Sequence, residues 1–196
     1  MYNKFSTSFY FIISLVFLIS ACNNEVQKTI VNPGNEVNHT IDAFPADSFA
    51  FYENVLIKDS LNKDLHLAIA TNYYAEKQFD KAIEHLLTVC RLDAKNLIAC
   101  ITLGNIYYDT KQDEKAIMFY EKALLLDQEN VNVRCDLATS YLNLKNAEKS
   151  LILLKENIKM EPKHAQSHHN LSLVFSQLGK TKEAEAEMKI FNELNK

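Results

Sequence analysis

Tyr73, Tyr107, Tyr141 and Phe175 stand 34 residues apart, and Ala82, Ala116, Ser150 and Ala184 keep the same interval. Ala70, Gly104, Ala138 and Ser172 form a third column, each preceded by an aliphatic residue: Ile69, Leu103, Leu137 or Leu171. A fixed period of this length, held in several columns at once, means that like units stack side by side, each contacting chiefly its neighbours. The period decides the architecture before local propensity is consulted.

Within one period, residues 97–130, Leu103, Gly104 and Tyr107 fall on one helical stripe. Lys111, Gln112 and Asp113 interrupt the apolar pattern, and Ala116, Ile117, Tyr120, Ala123 and Leu124 resume it at helical spacing. Each unit is therefore a pair of amphipathic helices. A small column beside an aromatic column is what close antiparallel packing requires: the small residue lets the partner backbone approach, and the ring fills the space beside it. One hairpin cannot bury both of its faces, so at least three consecutive units are needed for stability.

These columns resemble the tetratricopeptide repeat over residues 63–196, in four units: 63–96, 97–130, 131–164 and 165–196. The family's bulky column is Leu86, Tyr120, Leu154 and Met188, and its last small column is looser, with Val89, Ala123, Asn157 and Phe191. There are departures: His66, Cys100, Arg134 and His168 replace the family's Trp, and its Pro survives only as Pro162. The resemblance implies an all-α fold, an α-solenoid of antiparallel helix pairs whose first helices line a concave groove.

The N-terminus predicts a compartment. Lys4 is the only charge before an almost wholly apolar run, Phe9 to Ile19, about 11 residues long. That is too short for a mature membrane span, which needs roughly 20 residues, but it suits the apolar core of a signal peptide. The run ends in Ile19-Ser20-Ala21-Cys22, which resembles the lipobox of bacterial lipoproteins. That resemblance implies cleavage of residues 1–21 and acylation of Cys22, attaching the chain to a membrane through several lipid chains. The expected location is the bacterial cell envelope, at the outer membrane, facing the periplasm or exposed at the surface. An ordinary secretory signal is the alternative.

Residues 22–44 read as a flexible tether containing Pro33-Gly34, with an r.m.s. reach of roughly 25 Å. Asp47-Ser48 then precedes the stripe Phe49, Tyr52, Val55 and Leu56, so residues 45–62 predict a degenerate helix that caps the open end of the stack. In repeat register Tyr52 and Val55 share columns with Leu86 and Val89.

Removing residues 1–21 discards one Lys and no acid, which moves the net charge from -4 to -5. With no basic block anywhere, the chain has no electrostatic footprint for nucleic acid. The three glycines cannot assemble a phosphate loop, no G-x-S-x-G, H-E-x-x-H or C-x-x-C occurs, and carboxylates such as Asp113-Glu114 sit where solvated helix faces are expected. The expectation is a non-enzymatic protein without cofactor or resident metal.

Two clusters leave alternatives open. His164, His168 and His169 make either a surface group titrating near neutrality or a weak transition-metal site. Cys90 and Cys100 straddle one connecting turn, so they form either a disulfide, which an oxidising compartment permits, or small apolar filler; Cys135 packs or lines the groove.

The family resemblance places Leu67, Thr71, Ile101, Asn105, Cys135, Thr139, His169 and Leu173 along the groove, with Tyr74, Tyr108, Leu142 and Asn143 beside them. Only Asn105 has a counterpart among the Lys, Arg and Asn with which some members clamp a peptide carboxylate. Flat amphipathic rings and amides suit an extended peptide or a helix, although Tyr74 and Tyr108 serve equally as cover for neighbouring helices. The resulting expectation is a membrane-anchored interaction scaffold that holds or assembles another envelope protein. Rival readings are self-association through a C-terminal face of Met188, Phe191 and Leu194, and a metal-dependent role for the histidines.

Overall fold

The computed structural model describes residue 52, residues 54–57 and residues 59–196. The expected signal peptide over 1–21, Cys22, the expected tether over 22–44 and the start of the expected cap through residue 51 lie outside the described residues. Eight helices follow a short helical stretch over 54–57: α1 Lys63–Ala75, α2 Phe79–Leu92, α3 Leu97–Asp109, α4 Asp113–Leu126, α5 Val131–Asn143, α6 Ala147–Met160, α7 Ala165–Gln177 and α8 Thr181–Leu194. No described helix is long and apolar enough to cross a membrane.

The start of each first helix is set chemically. Asn62, Asn96 and Asn130 stand at N-caps in extended backbone, and their side chains accept from the amides of Leu65 (3.0 Å), Ala99 (2.9 Å) and Val133 (3.1 Å). Each of these bonds satisfies an amide that the helix itself leaves unpaired. His164 takes the fourth cap without a side-chain capping bond.

The hairpin turn is equally regular. Lys77, Lys111, Lys145 and Gly179 adopt left-handed φ of 58, 60, 63 and 72°. The amide of the following residue returns to the carbonyl of the column aromatic: Gln78 to Tyr73, Gln112 to Tyr107, Asn146 to Tyr141 and Lys180 to Phe175, at 2.8–2.9 Å. This closes the first helix and reverses the chain into the second.

Packing follows the columns read from the sequence. Ala70, Ala138, Ala82, Ala116 and Ser150 are wholly buried, and Leu86, Tyr120 and Leu154 are among the largest fully buried side chains. The hydroxyls of Ser140 and Ser150 are buried without a hydrogen-bond partner, so those places select small size rather than polarity. Successive helices pack in chain order, and α1 also touches α3 as α5 touches α7, which puts the first helices along one inner face. Leu56 belongs to the same core cluster as residues of α1 and α2, and Tyr52 packs against that cluster. The described domain is an all-α solenoid of helix pairs.

Candidate functional site: the concave face

The inner face is built by α1, α3, α5 and α7. Leu67, Thr71, Tyr74, Ile101, Asn105, Tyr108, Thr139 and Leu142 are all partly exposed, and Asn143 is exposed. Several are already engaged. The Tyr74 hydroxyl donates to Asp109 Oδ2 at 3.0 Å, bridging α1 to α3, and the Tyr120 hydroxyl donates from α4 to Asn105 Oδ1 at 2.9 Å. Thr71 and Thr139 return their hydroxyls to carbonyls of their own helices, Leu67 and Cys135. Asn170 Nδ2 donates to Thr139 Oγ1 at 2.8 Å and to Cys135 Sγ at 3.2 Å, tying α7 to α5.

Tyr74 is thus both groove wall and inter-repeat brace. Asn143 on α5 is tied to α4, its amide donating to Asp113 Oδ1 at 2.9 Å. That contact also corrects the expectation for Asp113, which is buried at the start of α4 instead of solvated. Tyr108 keeps its hydroxyl free of hydrogen bonds among the described residues, and Lys111 Nζ lies 5.4 Å from its ring centre.

Two carboxylates that sequence reasoning passed over join this face. Asp109 ends α3, and Asp136 is partly buried on α5. Both act electrostatically on the phenols of Tyr74 and Tyr120, so four side chains from four helices form one cluster. Burial, with the Asp109 contact added for Tyr74, pushes both phenols well above the usual tyrosine range. Burial alone raises the Asp136 carboxyl to about 7. In the sequence Asp136 is one acid in an otherwise ordinary helix; its neighbours come from other repeats, so no local pattern marks it.

The histidines do not form a surface group. His168 is buried, with Nδ1 2.6 Å from Glu187 Oε2 and Nε2 donating to the Pro162 carbonyl at 2.9 Å. His164 contacts Ser167 Oγ (2.7 Å) and Asn132 Oδ1 (2.9 Å), and burial lowers its pKa. The His169 ring packs 4.9 Å from that of Phe191. Each imidazole is committed to a different neighbour, and the described residues contain no group of three His, Cys, Asp or Glu placed to hold a metal ion.

Cys90 and Cys100 are brought together as free thiols in hydrogen-bond contact, and Cys135 is a buried free thiol. The contact from Cys90 lowers the Cys100 thiol to about 7, whereas burial raises Cys135 to about 12.

Residues 104–145 match a family model described as TPR repeat. No curated protein sequence matches the chain. Among solved structures, a crystal structure of MamA superposes with a TM-score of 0.71 at 21% identity, covering 76% of this chain and 86% of that one. YrrB, a TPR protein with an unusual peptide-binding site, gives a TM-score of 0.69 at 16% identity, covering 76% of each chain. With the 34-residue columns, the capped helix pairs and the matched repeat in register, the described domain has the fold of a tetratricopeptide repeat solenoid.

Proposed function

We propose that this protein is a non-enzymatic scaffold, held at a bacterial membrane through lipid on Cys22, whose concave face grips a segment of another envelope protein. The observation that carries this reading is the partly exposed row of Leu67, Tyr74, Ile101 and Tyr108 on the inner helices. Packed side chains of this kind are normally withdrawn from water, and a row of them on a rigid concave scaffold offers aromatic anchors at low entropic cost. The peptide-binding site of YrrB, on a similar fold, lends analogy only. The lipobox over residues 19–22 supports the anchor.

Site-specific photocrosslinking tests the reading. A photoreactive side chain at Tyr108 should give a discrete adduct in envelope preparations, and one at exposed Lys155 on α6 should not. Adducts from Lys155 alone would move the working surface to the convex side. Cys22→Ser should release the chain from membranes, and membrane retention of that variant would remove the anchor.

Self-association has one observation in its favour. An open cleft of about 530 Å³ lies along α7 and α8, lined by Leu173, Ala184 and Met188 among polar residues, with Leu173 and Leu194 exposed. A mass that rises with concentration would support it, and a constant mass would remove it.

A further inference from the structure

The chemistry of the inner face narrows what it can hold. On α3, α5 and α7 the formally charged side chains are Asp109, Arg134 and Asp136. Arg134 is withdrawn: its guanidinium donates to Asn157 Oδ1 on α6 at 3.1 Å and to the Gln128 carbonyl. Asp109 keeps one oxygen on the Tyr74 hydroxyl. Asp136 has no hydrogen-bond or ion-pair partner among the described residues. The centre of the concavity is therefore an apolar and aromatic wall carrying two carboxylates and no cation, while Lys111 at the rim is drawn over the Tyr108 ring.

We propose that the concave face receives an extended peptide segment bearing a lysine or arginine side chain, which enters beside Tyr108 and is met by Asp109 and Asp136. This rests on the reading of the concave face as the working surface and adds the partner's chemistry. Three features converge on it. The carboxylates lie beside phenol rings, whose faces attract a cation as their hydroxyls accept hydrogen bonds from it. The surrounding wall of Leu67, Ile101 and Tyr108 accepts the aliphatic stem of a basic side chain. Finally, a partly buried carboxylate without a partner, as at Asp136, is disfavoured by itself and is relieved by an incoming cation. An acidic segment or a free C-terminal carboxylate meets like charge and is rejected.

The experiment is selection of a displayed random library of roughly 12-residue peptides against the full-length chain, run in parallel on Tyr108→Ala. The expected outcome is enrichment of peptides carrying Lys or Arg on the parent and not on Tyr108→Ala. A synthetic enriched peptide should lose about tenfold or more in affinity, equivalent to about 1.4 kcal/mol, when its basic residue becomes norleucine. The loss should be similar on the Asp109→Asn, Asp136→Asn double variant, whose fold is checked by circular dichroism. Enriched peptides that require Tyr108 but carry no basic residue would overturn this inference and leave the scaffold reading standing. So would undiminished affinity for the double variant. Equal enrichment on Tyr108→Ala, or none on either protein, would remove both readings.

Discussion

A Cβ at Gly104 would lie 2.5 Å from Cε1 and 2.6 Å from Cδ1 of Tyr120, so the ring on α4 occupies the space that any side chain at that point of α3 would need. The ring cannot swing aside cheaply, because Tyr120 is almost wholly buried and its hydroxyl is bonded to Asn105. Gly104→Ala should therefore destabilise the protein by about 2 kcal/mol, with a larger loss for Gly104→Leu, and should lower the thermal midpoint by several degrees. A Gly104→Ala midpoint equal to the parent's would show that Tyr120 yields freely and that the helix contact is looser than the structure has it.

The turn column makes an opposed pair of substitutions informative. Lys145 holds a left-handed φ of 63° where Gly179 serves in the last hairpin at 72°. A side chain in that region costs roughly 1–2 kcal/mol, partly offset by the roughly 0.5–1 kcal/mol of extra chain entropy that glycine loses on folding. Lys145→Gly should therefore raise stability by up to about 1 kcal/mol, and Gly179→Ala, with nothing within 4 Å to clash, should lower it by about the same amount. Denaturant midpoints measured side by side decide it; shifts of the same sign in both variants would refute the account.

What could be read beforehand divides along a physical line. The packing columns recur every 34 residues because each repeat meets its neighbours in the same way, so the solenoid and its buried small residues were legible. The three cap asparagines recur at the same interval, but single polar residues before a helix are common and carry little weight alone. The place of the family's Trp is harder still. His66, Arg134 and His168 each reach the carbonyl six residues earlier, on Ser60, Gln128 and Pro162, by unlike chemistries that show no common residue type. His168 also recruits Glu187 from the next helix, which is why three nearby histidines read as a surface cluster and are not one. The acidic centre of the groove assembles from four helices, so neither Asp109 nor Asp136 announces itself in its own segment.

Asp136 gives the fold a pH dependence of stated sign. Folding raises its carboxyl to about 7, so the folded state disfavours the charged form. The penalty is absent below the ordinary carboxylate range, grows as pH rises from about 4 to 7, and is complete above that. Allowing for partial exposure, it reaches on the order of 2 kcal/mol. Asp136→Asn should leave the melting temperature nearly unchanged at acid pH and raise it by a few degrees at pH of about 8. A constant difference across that window would show that the carboxylate is solvated.

The two polar residues at the middle of the groove should separate stability from binding. Asn105 accepts from the hydroxyl of buried Tyr120, so Asn105→Ala leaves a phenol without its partner and should cost about 1–3 kcal/mol. Any loss of partner capture by that variant is then confounded with a weakened fold. Tyr108 is partly exposed and carries no hydrogen bond among the described residues, which makes it the better probe of the surface. Tyr108→Ala should keep its helical content by circular dichroism and lose about tenfold or more in capture, the scale of a central aromatic anchor. Replacing the exposed Lys155 on the convex side should change capture little, because solvated charges contribute little to interfaces. If Tyr108→Ala captured its partner as the parent does, the ring would be cover for its neighbouring helices, and the binding face would lie elsewhere on the solenoid.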